Sequence, residues 1–331
     1  MTAKRYLVTG GTGFIGSALV RRLVHDGHDV RVFDNDSRGD ANRLADIAGR
    51  FEFVSGDIRD AEAVASACRG VDSVIHLAYI NGTEFFYSIP EVILEVAVVG
   101  MMNVLNGCLK ADVRELVLAS SSEVYQTPPV VPTDESAPLS VPDPLNPRYS
   151  YGGGKIICEL LAINYGRKNF DRVMIFRPHN VYGPDMGWEH VIPQFAVRMK
   201  SLVDDGARPI QFPIQGGGSE SRSFVYIDDF VEGLSILLDR GEHLQIYHIG
   251  TTEELTIEQV ARQVAAYFGE EIQIVPGPLR AGGTERRCPD VTKLSHLGYV
   301  PKISFREGLE ATVRWYAENA PRRQAHVNTH D

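Results

Sequence analysis

Thr9-Gly10-Gly11-Thr12-Gly13-Phe14-Ile15-Gly16 restricts what this chain can fold into more than any other segment. It follows the apolar run Tyr6-Leu7-Val8 and opens a stretch, Phe14 to His25, whose apolar residues recur at helical spacing. Glycine at positions 10, 13 and 16 permits a tight turn, close approach of the backbone to a pyrophosphate, and close packing of helix on strand. The N–H groups at the helix N-terminus, with their partial positive charge, then suit phosphates. The second strand, Val30 to Phe33, ends in Asp34, whose carboxylate can accept hydrogen bonds from an adenosine ribose. Asp34 would repel a 2′-phosphate, which favours NAD over NADP; the nearby Arg38 leaves NADP open. Gly56-Asp57-Ile58 closes the third strand, where Asp57 can accept from an adenine amino group and Ile58 can pack on the ring. Asp57 reads equally well as the cap of a helix beginning near Ala61.

The alternation continues down the chain. Phe51 to Val54, Ser73 to Leu77, Leu116 to Ala119 and Val173 to Phe176 read as strands. Ala61 to Cys68, Ile89 to Leu109 and Tyr151 to Asn169 read as helices. This order predicts an α/β fold, a Rossmann-type doubly wound parallel sheet with helices on both faces. Near residue 178 prolines and glycines become frequent. Short runs at 211–214, 224–227, 247–249 and 272–275 then alternate with helical patterns at 191–203, 228–238 and 257–268. The expected organisation is a dinucleotide-binding domain over 1–177 that carries the catalytic residues, and a smaller α+β substrate-binding domain over 178–320. Some chain of the second domain should cross back to the sheet, and the polar tail 321–331 should be disordered.

Composition narrows the partners. Acidic residues (43) outnumber Lys and Arg (33), for a formal charge of −10, which argues against nucleic acid and anionic membranes. Cys68, Cys108, Cys158 and Cys288 form no C-x-x-C, so they are expected as isolated buried thiols in a reducing cytosol, with no metal site. The N-terminus has no charged n-region followed by an apolar h-region, so the expectation is a cytoplasmic protein. The longest apolar stretch, Val92 to Leu105, reads as too short to span a bilayer.

Tyr151 and Lys155 stand at i and i+4 near a helix start and so share one face. An ammonium beside a phenol favours the phenolate, which brings tyrosine toward useful base strength. The same lysine can bind the nicotinamide ribose. The fifth strand ends in Ala119-Ser120-Ser121-Ser122-Glu123-Val124-Tyr125, beyond the carboxyl end of the sheet where ligands bind in such folds. A serine hydroxyl there can hydrogen-bond a substrate hydroxyl or carbonyl. Taken singly, the Tyr/Lys pair reads as a surface pair and the serine run as a polar turn.

Gly10/Gly13/Gly16, Asp34, Gly56-Asp57, Ser121, Tyr151/Lys155 and Arg177-Pro178-His179-Asn180-Val181-Tyr182-Gly183-Pro184 together resemble the extended short-chain dehydrogenase/reductase family, over residues 5–316. That family comprises NAD-dependent nucleotide-sugar epimerases, 4,6-dehydratases and decarboxylases. The resemblance implies a tightly bound NAD held by Gly10, Gly13, Phe14, Ile15, Gly16, Asp34, Asn35, Ser37, Arg38, Asp57, Ile58, Leu77, Ala78, Tyr151, Lys155 and Pro178. It implies that the Tyr151 phenolate takes a proton from a sugar hydroxyl, usually O4, while hydride leaves C4 for the nicotinamide. Ser121 would share the hydrogen bond to O4, and Lys155 would orient the cofactor ribose and tune Tyr151. For a nucleoside diphosphate sugar, it implies Ser122 at the sugar and Asn180, Arg222 and Arg287 at the diphosphate, with Phe212 stacked on the base. His190 falls where a second acid/base could stand, and reads otherwise as an ordinary loop histidine. Without the resemblance each arginine reads as a surface salt bridge. Family members also commonly form homodimers through helices matching 92–109 and 151–168.

Glu123 bears on the reaction. Simple 4-epimerases of the family usually carry a small or neutral residue there, whereas dehydratases and decarboxylases often carry glutamate. Ser122, however, stands where a dTDP-glucose-type dehydratase carries its proton-donating aspartate. Phe33-Asp34-Asn35-Asp36-Ser37-Arg38-Gly39 resembles a run in UDP-glucose 4-epimerases, and Arg177 to Pro193 and Pro276-Gly277-Pro278 look like GDP-mannose 3,5-epimerase. The reading favoured here is an NAD-dependent epimerase working through a transient 4-keto sugar. The alternative is a 4,6-dehydratase or glucuronate decarboxylase using Glu123, and the remote one a non-catalytic NAD-sensing protein. Glu123 also reads as a carboxylate bonding local backbone N–H groups. Two departures stand out: Ala97 replaces an asparagine common in the long helix, and Gln126 replaces the glycine that usually follows Val-Tyr.

Overall fold

The computed structural model describes residues 3–278 and 283–327, with side chains described through Ala320. Strands β1 (Arg5–Thr9), β2 (Asp29–Asp34), β3 (Glu52–Ser55), β4 (Ser73–His76), β5 (Glu115–Ala119) and β6 (Arg172–Pro178) join the strand Gln245–Ile249 in one seven-stranded sheet. The order is Gln245–Ile249, β6, β5, β4, β1, β2, β3, and every pairing is parallel. Both faces are covered, which explains the continuous apolar runs. Along β1, Tyr6 and Val8 enter one core cluster and Leu7 the opposite one. The strand order reverses beside β1, and the crevice beyond the carboxyl ends of β1 and β4 is the place such a fold offers a ligand.

Helix α1 (Phe14–His25) covers one face, and α2 (Ala61–Ala67) lies on the other. The helical pattern expected over 89–109 is a continuous helix, Pro90–Lys110, with a π-helical turn at Val96–Gly100. It is 21 residues long and holds an 18-residue stretch of mean hydropathy 1.9, so by length and composition it is long enough to cross a membrane. The shorter reading of that stretch is therefore corrected. Half of it is buried here, where Ile93, Val96, Ala97, Met101, Val104, Leu105 and Cys108 supply core against α2 and the helix Tyr149–Asn169. Core packing accounts for its apolarity.

Beyond β6 the chain builds a second hydrophobic cluster of its own. A parallel pair (Ile210–Gln215 with Ile272–Gly277) and a three-stranded sheet (Glu254–Thr256, Ser221–Ser223, Arg286–Arg287) pack with the helices Val191–Asp205 and Ile257–Tyr267. Between these pieces, residues 245–249 return to the main sheet, with Ile249 opposite Pro178. Phe212 lies wholly inside this second cluster, edge-on to Phe195 at 5.2 Å, so it is not available to stack on a base. Its neighbours explain the correction: Gln211, Phe212, Pro213 and Ile214 alternate out and in along a strand, and 212 points in. The last helix, Phe305–Val327, carries residues 321–327 of the expected tail as helix, and 328–331 lie outside the described residues. Arg322, Arg323, Gln324 and Ala325 are good helix formers, which polarity alone conceals.

Candidate active site

The glycine turn folds as its spacing predicts. Gly10 has φ +73°, and a Cβ there would press on the Ala78 backbone at 2.6 Å. A Cβ on Gly16 would collide with the Gly10 carbonyl, so only glycine lets α1 sit this close to β1. Helix α1 is capped by Gly13 with no side-chain hydrogen bond, and its first turn carries no acidic residue. An uncapped N-terminus free of negative charge fits the pyrophosphate of NAD. Asp34 at the end of β2 accepts from the Thr12 and Asp36 N–H groups, both at 3.0 Å, which fixes the carboxylate beside the turn. Asn35 donates to Asp57 at 3.0 Å and accepts from Ser37 N–H at 3.1 Å. Asp57 is not a helix cap: Asp60 caps α2 through Glu62 and Ala63 N–H, while Asp57 pairs with Arg59 at 2.7 Å. Ile58 is buried, close to Gly100 of the long helix. Arg38 turns away to the Asn81 carbonyl at 3.1 Å and lies 4.2 Å over the Phe85 ring.

The helix Tyr149–Asn169 brings Tyr151 and Lys155 to the carboxyl end of β5. Tyr151 is clamped by aromatic rings, stacked on Phe86 at 4.8 Å and edge-on to Tyr79 at 5.2 Å. Neither ring was singled out by sequence reasoning, because each lies in a loop or short helix before the long helix. The Ser121 hydroxyl lies beside the Tyr151 phenol and favours its ionised form. Burial pushes that phenol up to about 12 against the help of Ser121. Lys155 is pulled down to about 8 by burial; it donates to the Ala119 carbonyl at 2.8 Å and sits 3.7 Å over Tyr79. Its ammonium is 6.0 Å from the centre of the Tyr151 ring. The pair thus shares a helix face as expected, with the ammonium lying over the Tyr79 ring rather than over the Tyr151 ring.

Glu123 lies in the 3₁₀ turn Ser122–Tyr125, with Ser121 accepting its N–H at 3.1 Å. Its carboxylate meets Arg287 at 2.6 Å and Arg148 at 3.8 Å. Burial works to raise this carboxyl, and Arg287, Arg148 and Arg222 together outweigh it, so Glu123 is held below the usual carboxylate range. Arg287 therefore stands beside Glu123 and acts on the charge of Tyr151. It also donates to Thr284 at 2.9 Å. Arg148 was missed in the sequence; its only signal is its place three residues before Tyr151, one helical turn away. Arg222 donates to the Thr284 carbonyl at 2.7 Å, and burial with the like charge of Arg287 lowers it to about 10. Ser122 is buried in the same turn.

Asn180 has φ +39° and donates to the Ser223 carbonyl at 2.9 Å, joining the end of β6 to the second cluster. Its neighbour Pro178 ends β6. His190 caps the start of the helix Val191–Asp205, and burial lowers its pKa; its charged neighbours are Glu189 and Arg38, not the Ser121, Glu123 and Tyr151 group.

Gln126 closes the Ser122–Tyr125 turn with φ +53° and ψ −103°, a backbone shape that suits glycine. For a residue with a Cβ it costs of the order of 1–3 kcal/mol. Below the turn, Arg177 and Glu159 form a buried ion pair at 2.6 Å, with Ser120 and Tyr125 bonded to it. It ties β5, β6 and the Tyr151 helix together.

Residues 6–250 match the NAD dependent epimerase/dehydratase family. The chain is 32% identical over 330 residues to a UDP-N-acetyl-alpha-D-glucosaminuronate decarboxylase of Bacillus cytotoxicus, covering 95% of this chain and 98% of that one. It superposes with a TM-score of 0.84 on DesIV, a dTDP-glucose 4,6-dehydratase of Streptomyces venezuelae solved with NAD bound, at 34% identity over 96% of this chain and 98% of that one. A UDP-glucose 4-epimerase of Thermotoga maritima superposes with a TM-score of 0.83 at 28% identity, covering 96% and 99%. With its uncapped glycine turn, its Ser121–Tyr151–Lys155 cluster and these likenesses along nearly its whole length, this chain is an NAD-binding enzyme that belongs to the NAD-dependent epimerase/dehydratase family.

Proposed function

We propose that this enzyme oxidises C4 of a nucleoside diphosphate hexuronate and releases the C6 carboxylate as carbon dioxide. The observation that carries this reading is Arg287, 2.6 Å from Glu123 and close enough to Tyr151 to act on its charge. A guanidinium so near the group that serves C4 is placed for an anion two carbons away. With Arg148 and Arg222, three guanidinium groups face one carboxylate, which leaves positive charge for both a carboxylate and a diphosphate.

NAD, when bound along the glycine turn, supplies the acceptor for the C4 hydride and later returns it. Tyr151 takes the O4 proton, and Ser121 hydrogen-bonds the same oxygen. The C4 ketone makes the sugar a β-keto acid. Its C5–C6 bond breaks, carbon dioxide leaves, and the electron pair moves into the C4 carbonyl, where Ser121 and Tyr151 donate to the developing oxyanion. Protonation at C5 restores the ketone. Elimination of water would need a free base at C5 and an acid at O6. Glu123 is tied to Arg287 and Ser122 is a hydroxyl, so the site favours steps that need only a carbonyl sink.

The second reading is C4 epimerisation, which the sequence favours. Ser121, Tyr151 and Lys155 suffice for it, and the likeness to the Thermotoga epimerase supports it. Two further expectations remain part of the proposal. The enzyme works in the cytoplasm, in keeping with four free buried cysteines. It dimerises through the outer faces of the long helix and the Tyr151 helix, where Leu94, Val99, Ile157 and Leu160 are exposed.

The test is mass spectrometry of products from UDP-, GDP-, CDP- and dTDP-linked hexoses and hexuronates in heavy water without added NAD. The expected product is lighter by carbon dioxide and carries deuterium at C5. A product of unchanged mass identifies an epimerase, and one lighter by water a dehydratase; either overturns the proposal. Failure of every sugar, with NAD retained, leaves the sensing role.

A further inference from the structure

Gln126 occupies a place that the backbone would give to glycine. It is buried, at φ +53° and ψ −103°, at the end of the turn that carries Glu123. A strained residue persists only where its surroundings hold it, and such residues cluster at working sites. Here the surroundings are three parts of the active site. The Gln126 side-chain amide donates to the Glu123 carbonyl at 2.5 Å. The Gln126 carbonyl accepts from the Thr284 hydroxyl at 2.9 Å, and that hydroxyl also accepts from Arg287 at 2.9 Å. The Gln126 amide packs on Gly152, where a Cβ would lie 2.6 Å from Nε2 and 2.9 Å from the Glu123 carbonyl oxygen. Gly152 is the residue after Tyr151 on the catalytic helix.

We infer that Gln126 is a positioning residue that fixes the Glu123–Arg287 pair against Tyr151, at the expense of fold stability. Glycine at 126 would keep the backbone shape without strain. It would lose the amide that fills the space against Gly152 and holds the Glu123 carbonyl. The turn would then be free to shift relative to the catalytic helix. Glu123 and Arg287 both act electrostatically on the Tyr151 phenol, so a shift changes the titration of Tyr151.

This rests on the Ser121–Tyr151–Lys155 site being the reacting one, and not on which product forms. The test uses NAD-loaded protein and three readouts: thermal midpoint, appearance of the reduced cofactor on adding nucleotide sugar, and tyrosinate absorbance taken against Y151F. Q126G should raise the thermal midpoint, slow the appearance of reduced cofactor by about tenfold to a hundredfold, and move the Tyr151 titration. Q126A keeps the strain without the amide and should lose both stability and rate. A Q126G protein that is more stable but unchanged in rate and titration would overturn the inference. So would a Q126G protein whose midpoint falls at least as far as that of Q126A, since glycine would then relieve no strain. If wild type reduces its cofactor on no sugar, the proposed function fails, while the stability and titration readouts still decide the role of Gln126.

Discussion

Tyr151 is an unpromising base by its surroundings alone. Burial holds it at about 12, while burial holds Lys155 at about 8. If the step needs Tyr151 without its proton and Lys155 with one, the two are in reverse order. The fraction of enzyme in that state then rises tenfold per pH unit up to the lower value and is level above it. We expect kcat/KM to climb to about pH 8 and then flatten, with the break removed in Lys155→Met. A profile already flat from pH 6 to 8 would exclude this pairing. At this scale Tyr151 and Lys155 are legible from their i, i+4 spacing, while Ser121, Glu123 and Arg287 stand out only through the family resemblance. The sequence did not disclose Tyr79, Phe86 or Arg148, whose importance lies only in what they touch.

Two helices carry most of the site's support. The long helix Pro90–Lys110 and the helix Tyr149–Asn169 pack on each other, and each leaves apolar residues outside. Leu160 is 55% exposed and Val99 43%. A second copy laid on this face would bury both. Leu160→Glu should therefore weaken self-association roughly a hundredfold, reading about 1.5–3 kcal/mol for a leucine burial. Sedimentation equilibrium measures it; a monomer in wild type ends the dimer proposal. Helix existence was legible from periodicity, and ends came within two residues or so for 191–205, 227–240 and 257–267. The short strands Val181–Tyr182, Ser221–Ser223 and Arg286–Arg287 were not, since two or three residues hold no period and pairing comes from elsewhere in the chain. Phe212 shows the same limit from the other side: an aromatic in a mixed segment reads as a base platform until its strand partners show that it points into the core.

Across the molecule, buried neutral histidines couple folding to pH. Burial lowers His76 to about 3 and His248 to about 4, and His179, packed 4.7 Å from His248, is held well below its ordinary value. In the unfolded chain these rings take protons near pH 6.5. Below that pH the unfolded state binds more protons, so stability is whole above about 6.5 and falls as pH drops toward 4. Three such rings would remove about 4–6 kcal/mol by pH 5. Urea midpoints at pH 7 and pH 5 should differ accordingly, and His248→Gln should shrink the difference. Equal midpoints would mean that these rings are not held neutral.

The strand Gln245–Ile249 gives the fold one more consequence. The chain leaves the main sheet at Pro178, builds part of the second cluster, re-enters the sheet beside β6, and leaves again. The two halves are stitched rather than hinged. A truncation at 178 would strip the sheet of its edge and bare the backbone groups of β6. Exchange of the second half between relatives cannot be a single cut-and-paste; it must join the chain at both passes. New substrates in this architecture are therefore reached more readily by point changes than by shuffling of whole modules.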